Sequence, residues 1–132
     1  MLQNGDKVVF YTRTVVISIG GGDSTDYGNR LQVRVSTNGA STNVGSGDDP
    51  GDFTNNILDI NPDYPNHNAF TSSATYDPVA YPVRWTRFEA VIGGLNGPVN
   101  GRFAFRYYLN DAGSNGYGTA VAIDSVAFIG KK

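Results

Sequence analysis

Arg30-Leu31-Gln32-Val33-Arg34-Val35-Ser36-Thr37-Asn38-Gly39 is the stretch from which the rest of the chain is best read. Leu31, Val33 and Val35 alternate with Arg30, Gln32 and Arg34. Successive side chains of a strand point to opposite faces, so the spacing predicts a half-buried antiparallel strand. Asn38-Gly39 closes it, because this pair tolerates the positive φ of a tight turn.

The same grammar extends in both directions. Val8 to Ile19 is rich in β-branched and aromatic residues and stops at Gly20-Gly21-Gly22. Phe53 to Ile60 is apolar enough for a short strand or one helical turn, and strand is the reading adopted. After Trp85, Thr86, Phe88, Ala90 and Ile92 share one face and Arg87 and Glu89 the other. Phe103, Phe105, Tyr107 and Leu109 alternate with Arg102, Ala104, Arg106 and Tyr108, which predicts a central strand covered on both faces. In Thr119 to Ile129 the parity breaks: Val121 and Ile123 lie on one face, Val126 and Phe128 on the other. All four reach a core only if the strand bulges near Asp124-Ser125.

Composition agrees. Glu89 is the only glutamate, Lys7, Lys131 and Lys132 are the only lysines, and glycine occurs 17 times. Helices draw on the residues that are scarce here, strands and turns on those that abound. The expected fold is therefore all-β, a single antiparallel β-sandwich spanning 1–132 with six or more strands. A loop over 61–84, carrying Pro62, Pro65, Pro78 and Pro82, is long enough to be functional or mobile.

The formal net charge is −2 and seven arginines are dispersed without a basic block, which argues against nucleic acid as a partner. No apolar run approaches the roughly 20 residues of a membrane span, and no signal peptide opens the chain. Without cysteine, disulfides, thiolate catalysis and sulfur-ligated zinc are excluded. Gly22-Asp23-Ser24 and His67 are too few for a Ser-His-Asp site, and Gly113-Ser114-Asn115-Gly116-Tyr117-Gly118 lacks a βαβ setting. The chain is expected not to be an enzyme; a hydrolase fragment would need His67 facing a serine or acid in a cleft.

In order along the chain, Leu2-Gln3-Asn4-Gly5-Asp6 with Val9-Phe10-Tyr11-Thr12-Arg13-Thr14, the 30–39 segment, Phe53 with Leu58-Asp59-Ile60-Asn61-Pro62, Trp85-Thr86-Arg87-Phe88, Gly101-Arg102-Phe103-Ala104-Phe105-Arg106-Tyr107 and Ala122-Ile123-Asp124-Ser125-Val126 resemble the bacterial choice-of-anchor J domain, a relative of cleaved-adhesin and MAM-like jelly rolls. The resemblance implies a jelly-roll, galactose-binding-like sandwich on an exported, extracellular or cell-surface bacterial protein. It implies a structural or adhesion role, with no enzymatic activity. Family members carry strands ahead of the point where this chain begins, so this chain reads as the C-terminal part of a larger jelly roll. Open edges would then invite self-association or other protein partners.

The resemblance also makes Asp124 a candidate ligand for a structural calcium; the alternative is a carboxylate bonded to local amides at the bulge. Asp48, Asp49 and Asp52 around Gly51 are a second candidate calcium loop, although their spacing does not follow D-x-D-x-D and a solvated turn would look the same. Asp23 and Asp26 flank a third such loop. No other cofactor is expected. The alternative function is carbohydrate binding, for which Tyr64, Tyr76, Tyr81, Trp85 and Tyr117 are the candidate stacking aromatics. Against it stands the habit of loops to anchor themselves with their own aromatics.

Overall fold

The structure, a computed structural model, describes residues 1–70 and 77–132. Eight strands form: β1 (Lys7–Val15), β2 (Ile17–Gly20), β3 (Asp23–Thr25), β4 (Leu31–Ser36), β5 (Asn55–Ile60), β6 (Thr86–Val91), β7 (Arg102–Arg106) and β8 (Ala120–Ile129). They assemble into a sandwich of two three-stranded antiparallel sheets, ordered β6-β1-β8 and β5-β4-β7, beside a separate β2–β3 hairpin. No helix occurs among the described residues.

The two central strands supply the centre of the core. Val8 and Phe10 of β1 meet Leu31 and Val33 of β4, with Ile60, Tyr81 and Ala90 completing the main cluster. Leu2, Val35 and Ile92 form a second cluster at one end. Each of these large apolar side chains contributes on the order of 1.5–3 kcal/mol by leaving water. Four rings carry the packing from β6 across the molecule: Phe88 stacks near Phe10 at 6.0 Å, Phe10 meets Phe105 edge-on at 4.9 Å, and Phe105 meets Phe103 edge-on at 6.2 Å.

The expected strand from Val8 to Ile19 is divided. Its last rung with β8 is Val15 opposite Ala120, and beyond it the exposed Ile17–Gly20 leaves the sandwich for the hairpin with β3. The expected central position of the strand after Gly101 is also corrected. Among the described residues β7 pairs with β4 alone, at the edge of its sheet, while β4 is central. Its alternation misleads because Arg106 and Tyr108 are themselves part-covered: the guanidinium sits 4.0 Å from the Tyr108 ring centroid.

β4 is more enclosed than its alternation predicts, with Gln32 and Ser36 buried on the polar face. Segment 37–54 folds back against that face and is pinned there by arginines. Arg34 donates from Nε to the Phe53 carbonyl (2.7 Å) and from Nη2 to the Thr54 carbonyl (3.0 Å); Arg106 donates to the Gly47 carbonyl (2.7 Å). At the β5 border, Arg30 grips Asp59 with two parallel bonds of 2.9 and 2.7 Å. On the opposite sheet Glu89 accepts from Arg87, as its place on the same strand face suggests, and from Lys7.

The ends of the chain meet. Asp6 is buried, its carboxylate accepting the Lys131 amide (2.7 Å) and the Gln3 amide (2.9 Å), beside the first β1–β8 rung, Lys7 opposite Ile129. The Lys131 amide is the main reason that its carboxyl titrates below the usual range; burial opposes the shift.

Candidate functional site

The bulge expected at Asp124-Ser125 is present. Val9 opposes Ala127 and Tyr11 opposes Asp124, so one extra residue of β8 is accommodated between these rungs. Ser125 takes it up in the left-handed region, at φ 54°. The parity break is thereby repaired. Phe128 opposes Val8, Ile123 opposes Thr12 and Val121 opposes Thr14, all three partners being fully buried, so these β8 side chains share the core face.

Facing the core does not bury them all. Val121 and Ile123 pack on the core as half-buried residues, but Val126 is 46% exposed and Phe128 43%. Phe128 stacks on Phe103 at 6.5 Å, so the row of phenylalanines that starts at β6 runs through both sheets and ends in solvent. Among the described residues no strand pairs with the outer edge of β8 or of β7. Both lie on the same flank of the sandwich, one in each sheet. On the opposite flank Ala90, Ile92 and Ile60 of the β5/β6 side are buried.

Above this flank sits a buried polar node. Asn29, fully buried, shares its two amide hydrogens among the hydroxyls of Thr14 (2.6 Å) and Thr119 (3.0 Å) and the Ala120 carbonyl (3.0 Å). Its side-chain oxygen accepts the Tyr107 hydroxyl (2.6 Å) and the Thr119 amide (3.1 Å). Asp26 accepts the Thr14 hydroxyl and the amides of Gly28 and Ala69. The node ties β1, the β3–β4 connection and the start of β8 together. Only the loop position of Asp26 was suggestive in sequence, since Asn29 carries no motif.

The proposed aromatic platform is dispersed. Tyr81 lies in the core, 1% exposed; the Thr12 hydroxyl donates to the Ala122 carbonyl, so Tyr81 donates to Thr12 (2.7 Å), and burial pushes its phenol strongly up. Tyr64 is 4% exposed and its hydroxyl accepts the Asn110 amide (2.7 Å). Tyr117 packs edge-on against it at 5.2 Å and is half-buried. These loop tyrosines are anchors, as Tyr81 and Tyr64 fill space that a short core leaves under a long connection. Trp85 is exposed, and Tyr76 lies outside the described residues.

The carboxylates proposed for calcium are turned apart. Asp48 accepts the Tyr108 hydroxyl, Asp49 the Gly51 amide (2.8 Å), and Asp52 the Ser41 hydroxyl and Asn38 amide group. The Ser41 bond, then that of Asn38, holds Asp52 below the usual carboxylate range. Asp124 accepts the Ser125 amide at 2.6 Å, a local bond at the bulge. Among the described residues no three acids or histidines are grouped so as to hold a metal ion.

His67 lies between carboxylates, with Nδ1 2.7 Å from Asp77 and Nε2 3.7 Å from Asp63. The His67 bond is the leading cause of the lowered Asp77 pKa. Asp77 borders a cleft of about 780 Å³ between the β5/β6 flank and residues 77–84, walled by Leu58, Ile60, Phe70, Tyr81 and Phe88. Among the described residues neither ring nitrogen of His67 bonds a hydroxyl.

No family model, curated protein or solved structure matches the chain.

Proposed function

We propose that this chain is a non-catalytic structural or adhesion module of an exported bacterial protein, and that it works by accepting an extended strand of another polypeptide along the β7/β8 flank. The observation that carries the reading is the exposure of Val126 and Phe128 on the core-facing side of β8. An apolar side chain aimed at a core yet left in water is what strand addition would bury, while the free β8 edge would supply ladder hydrogen bonds. The exported, jelly-roll setting rests on the family resemblance. The non-catalytic part rests on the same resemblance; His67 beside Asp77 at the cleft is the arrangement that a hydrolase fragment would need.

The test is a titration of the isotope-labelled protein with synthetic ten-residue peptides alternating valine with polar residues. Protection of β8 amides from exchange, with shifts at Val126, Phe128 and Phe103, is expected. If no such peptide protects β8, the strand-acceptor reading fails. The carbohydrate alternative keeps one favourable observation, exposed Trp85 between Arg84 and Thr86 of the cleft wall. A glycan array answered only by variants that retain Trp85 would favour it.

A further inference from the structure

We propose that the strand this flank accepts is β8 of a second copy of the chain, laid antiparallel about a twofold axis at Ala127; the inference rests on the strand-acceptor reading above. A symmetric dimer contact must be self-complementary, so a single strand has to satisfy itself in reverse. β8 does this around Ala127. Val126 then opposes the partner's Phe128, and Phe128 the partner's Val126, so the two exposed core-facing side chains of each copy cover those of the other.

Face and register agree. Val126 and Phe128 both lie on the core side, so the joined strands make one six-stranded sheet with both second sheets on the same side. At the axis stands an alanine, exposed and small enough for two copies to meet. The bulge at Ser125 limits regular pairing to the half of β8 that follows it, which is the half with the bare apolar residues.

Charge agrees as well. Ala120–Ile129 contains one charged side chain, Asp124, and neither lysine nor proline, the usual guards of an edge strand. In the reversed register Asp124 falls toward the end of the partner strand that leads into the partner's Lys131 and the partner's Lys132. Opposite charges thus approach at both ends of the ladder and no like charges face each other. A patch built on a few residues per copy is smaller than the ~800 Å² per partner of standard interfaces, so association at about 10 μM to 1 mM is expected.

The absence of cysteine makes the register directly testable. In an antiparallel pair, directly opposed Cα atoms lie about 4.5–5.5 Å apart, within reach of a disulfide. Ala127→Cys is expected to give a covalent dimer under mild oxidation, while Ala122→Cys, elsewhere on the same strand, stays largely monomeric. Sedimentation should show a concentration-dependent dimer, weakened more than about tenfold by Phe128→Asp, with the variant's far-ultraviolet dichroism unchanged. Equal cross-linking of the two cysteine variants, or a dimer indifferent to Phe128→Asp, would overturn the proposal. If the protein is monomeric at millimolar concentration yet β8 is protected by the alternating peptides, the second-copy inference falls and the strand-acceptor reading stands; if neither occurs, both fall.

Discussion

Replacing Asn29 by alanine should remove about 2 kcal/mol of stability through lost hydrogen bonds. The truncation deletes five polar contacts, three of which share the two amide hydrogens. They do not count equally. The Thr14 hydroxyl retains Asp26, and Tyr107, 42% exposed, can turn its hydroxyl to water. The Thr119 amide and the Ala120 carbonyl, at the point where β8 begins, are left without that partner. Groups buried without partners cost about 1–3 kcal/mol each; taking the low end for both, since Thr119 is only half-buried and Ala120 exposed, gives roughly 2 kcal/mol. For a chain of this length that corresponds to a fall in Tm of about 8 °C. Urea unfolding at pH 7, followed by tryptophan fluorescence and dichroism, measures it. Asn29→Asp keeps the acceptor, loses the donors and sets a second carboxylate against the hydroxyl that Asp26 already uses, so it should be at least as damaging. A loss below about 1 kcal/mol for Asn29→Ala, with an unchanged m value, would refute the reasoning, because the node would then be replaceable by water.

Asp59 and the bulge give two further expectations. Burial disfavours the Asp59 carboxylate, but the Arg30 bonds and charge, with Gln32 and Asn56, outweigh it and hold the pKa below normal. A lowered folded-state pKa means stability that is complete above the unfolded value near 4 and lost as pH falls through the folded one. Asp59→Asn should therefore cost about 2 kcal/mol at pH 7 and flatten the acid limb of a stability–pH curve below about pH 4. At the bulge, Ser125 occupies φ 54°, which glycine adopts freely, so Ser125→Gly should raise the urea midpoint by the equivalent of about 0.5–1 kcal/mol. Gly28→Ala is its opposite: φ is 86° and a Cβ there would collide with the Tyr64 carbonyl, so the midpoint should fall.

Features set by local rules were readable from the residues. The β4 alternation located a strand, Asn38-Gly39 its end, and the parity switch between Ile123 and Val126 located the bulge to the residue pair. Features set by what packs alongside were not. The pattern of Phe103 and Phe105 is the same for a central or an edge strand, and what decides it is that no described residue pairs beyond β7. Likewise the bulge aims Val126 and Phe128 inward, yet aim does not supply a cover. Tyr64 and Tyr81 sit in a proline-rich polar loop, where exposure is the natural expectation; they are buried because the long connection docks on its own rings. Asn29 and Thr14 read as ordinary polar residues, since the node that uses them joins positions 90 residues apart.

The meeting of the chain ends at Asp6 sets how the molecule answers to force. Tension applied across Asp6 and Lys131 bears first on the bond between them and then on the rung between Lys7 and Ile129. β1 and β8 are antiparallel and would be drawn apart from that end, so their ladder would yield one rung at a time instead of sharing the load along its length. Such a sheet peels at low force. Pairing of β8 along its other edge adds a neighbour to the strand that peels, and a joined copy would turn a weak mechanical link into a stiffer one.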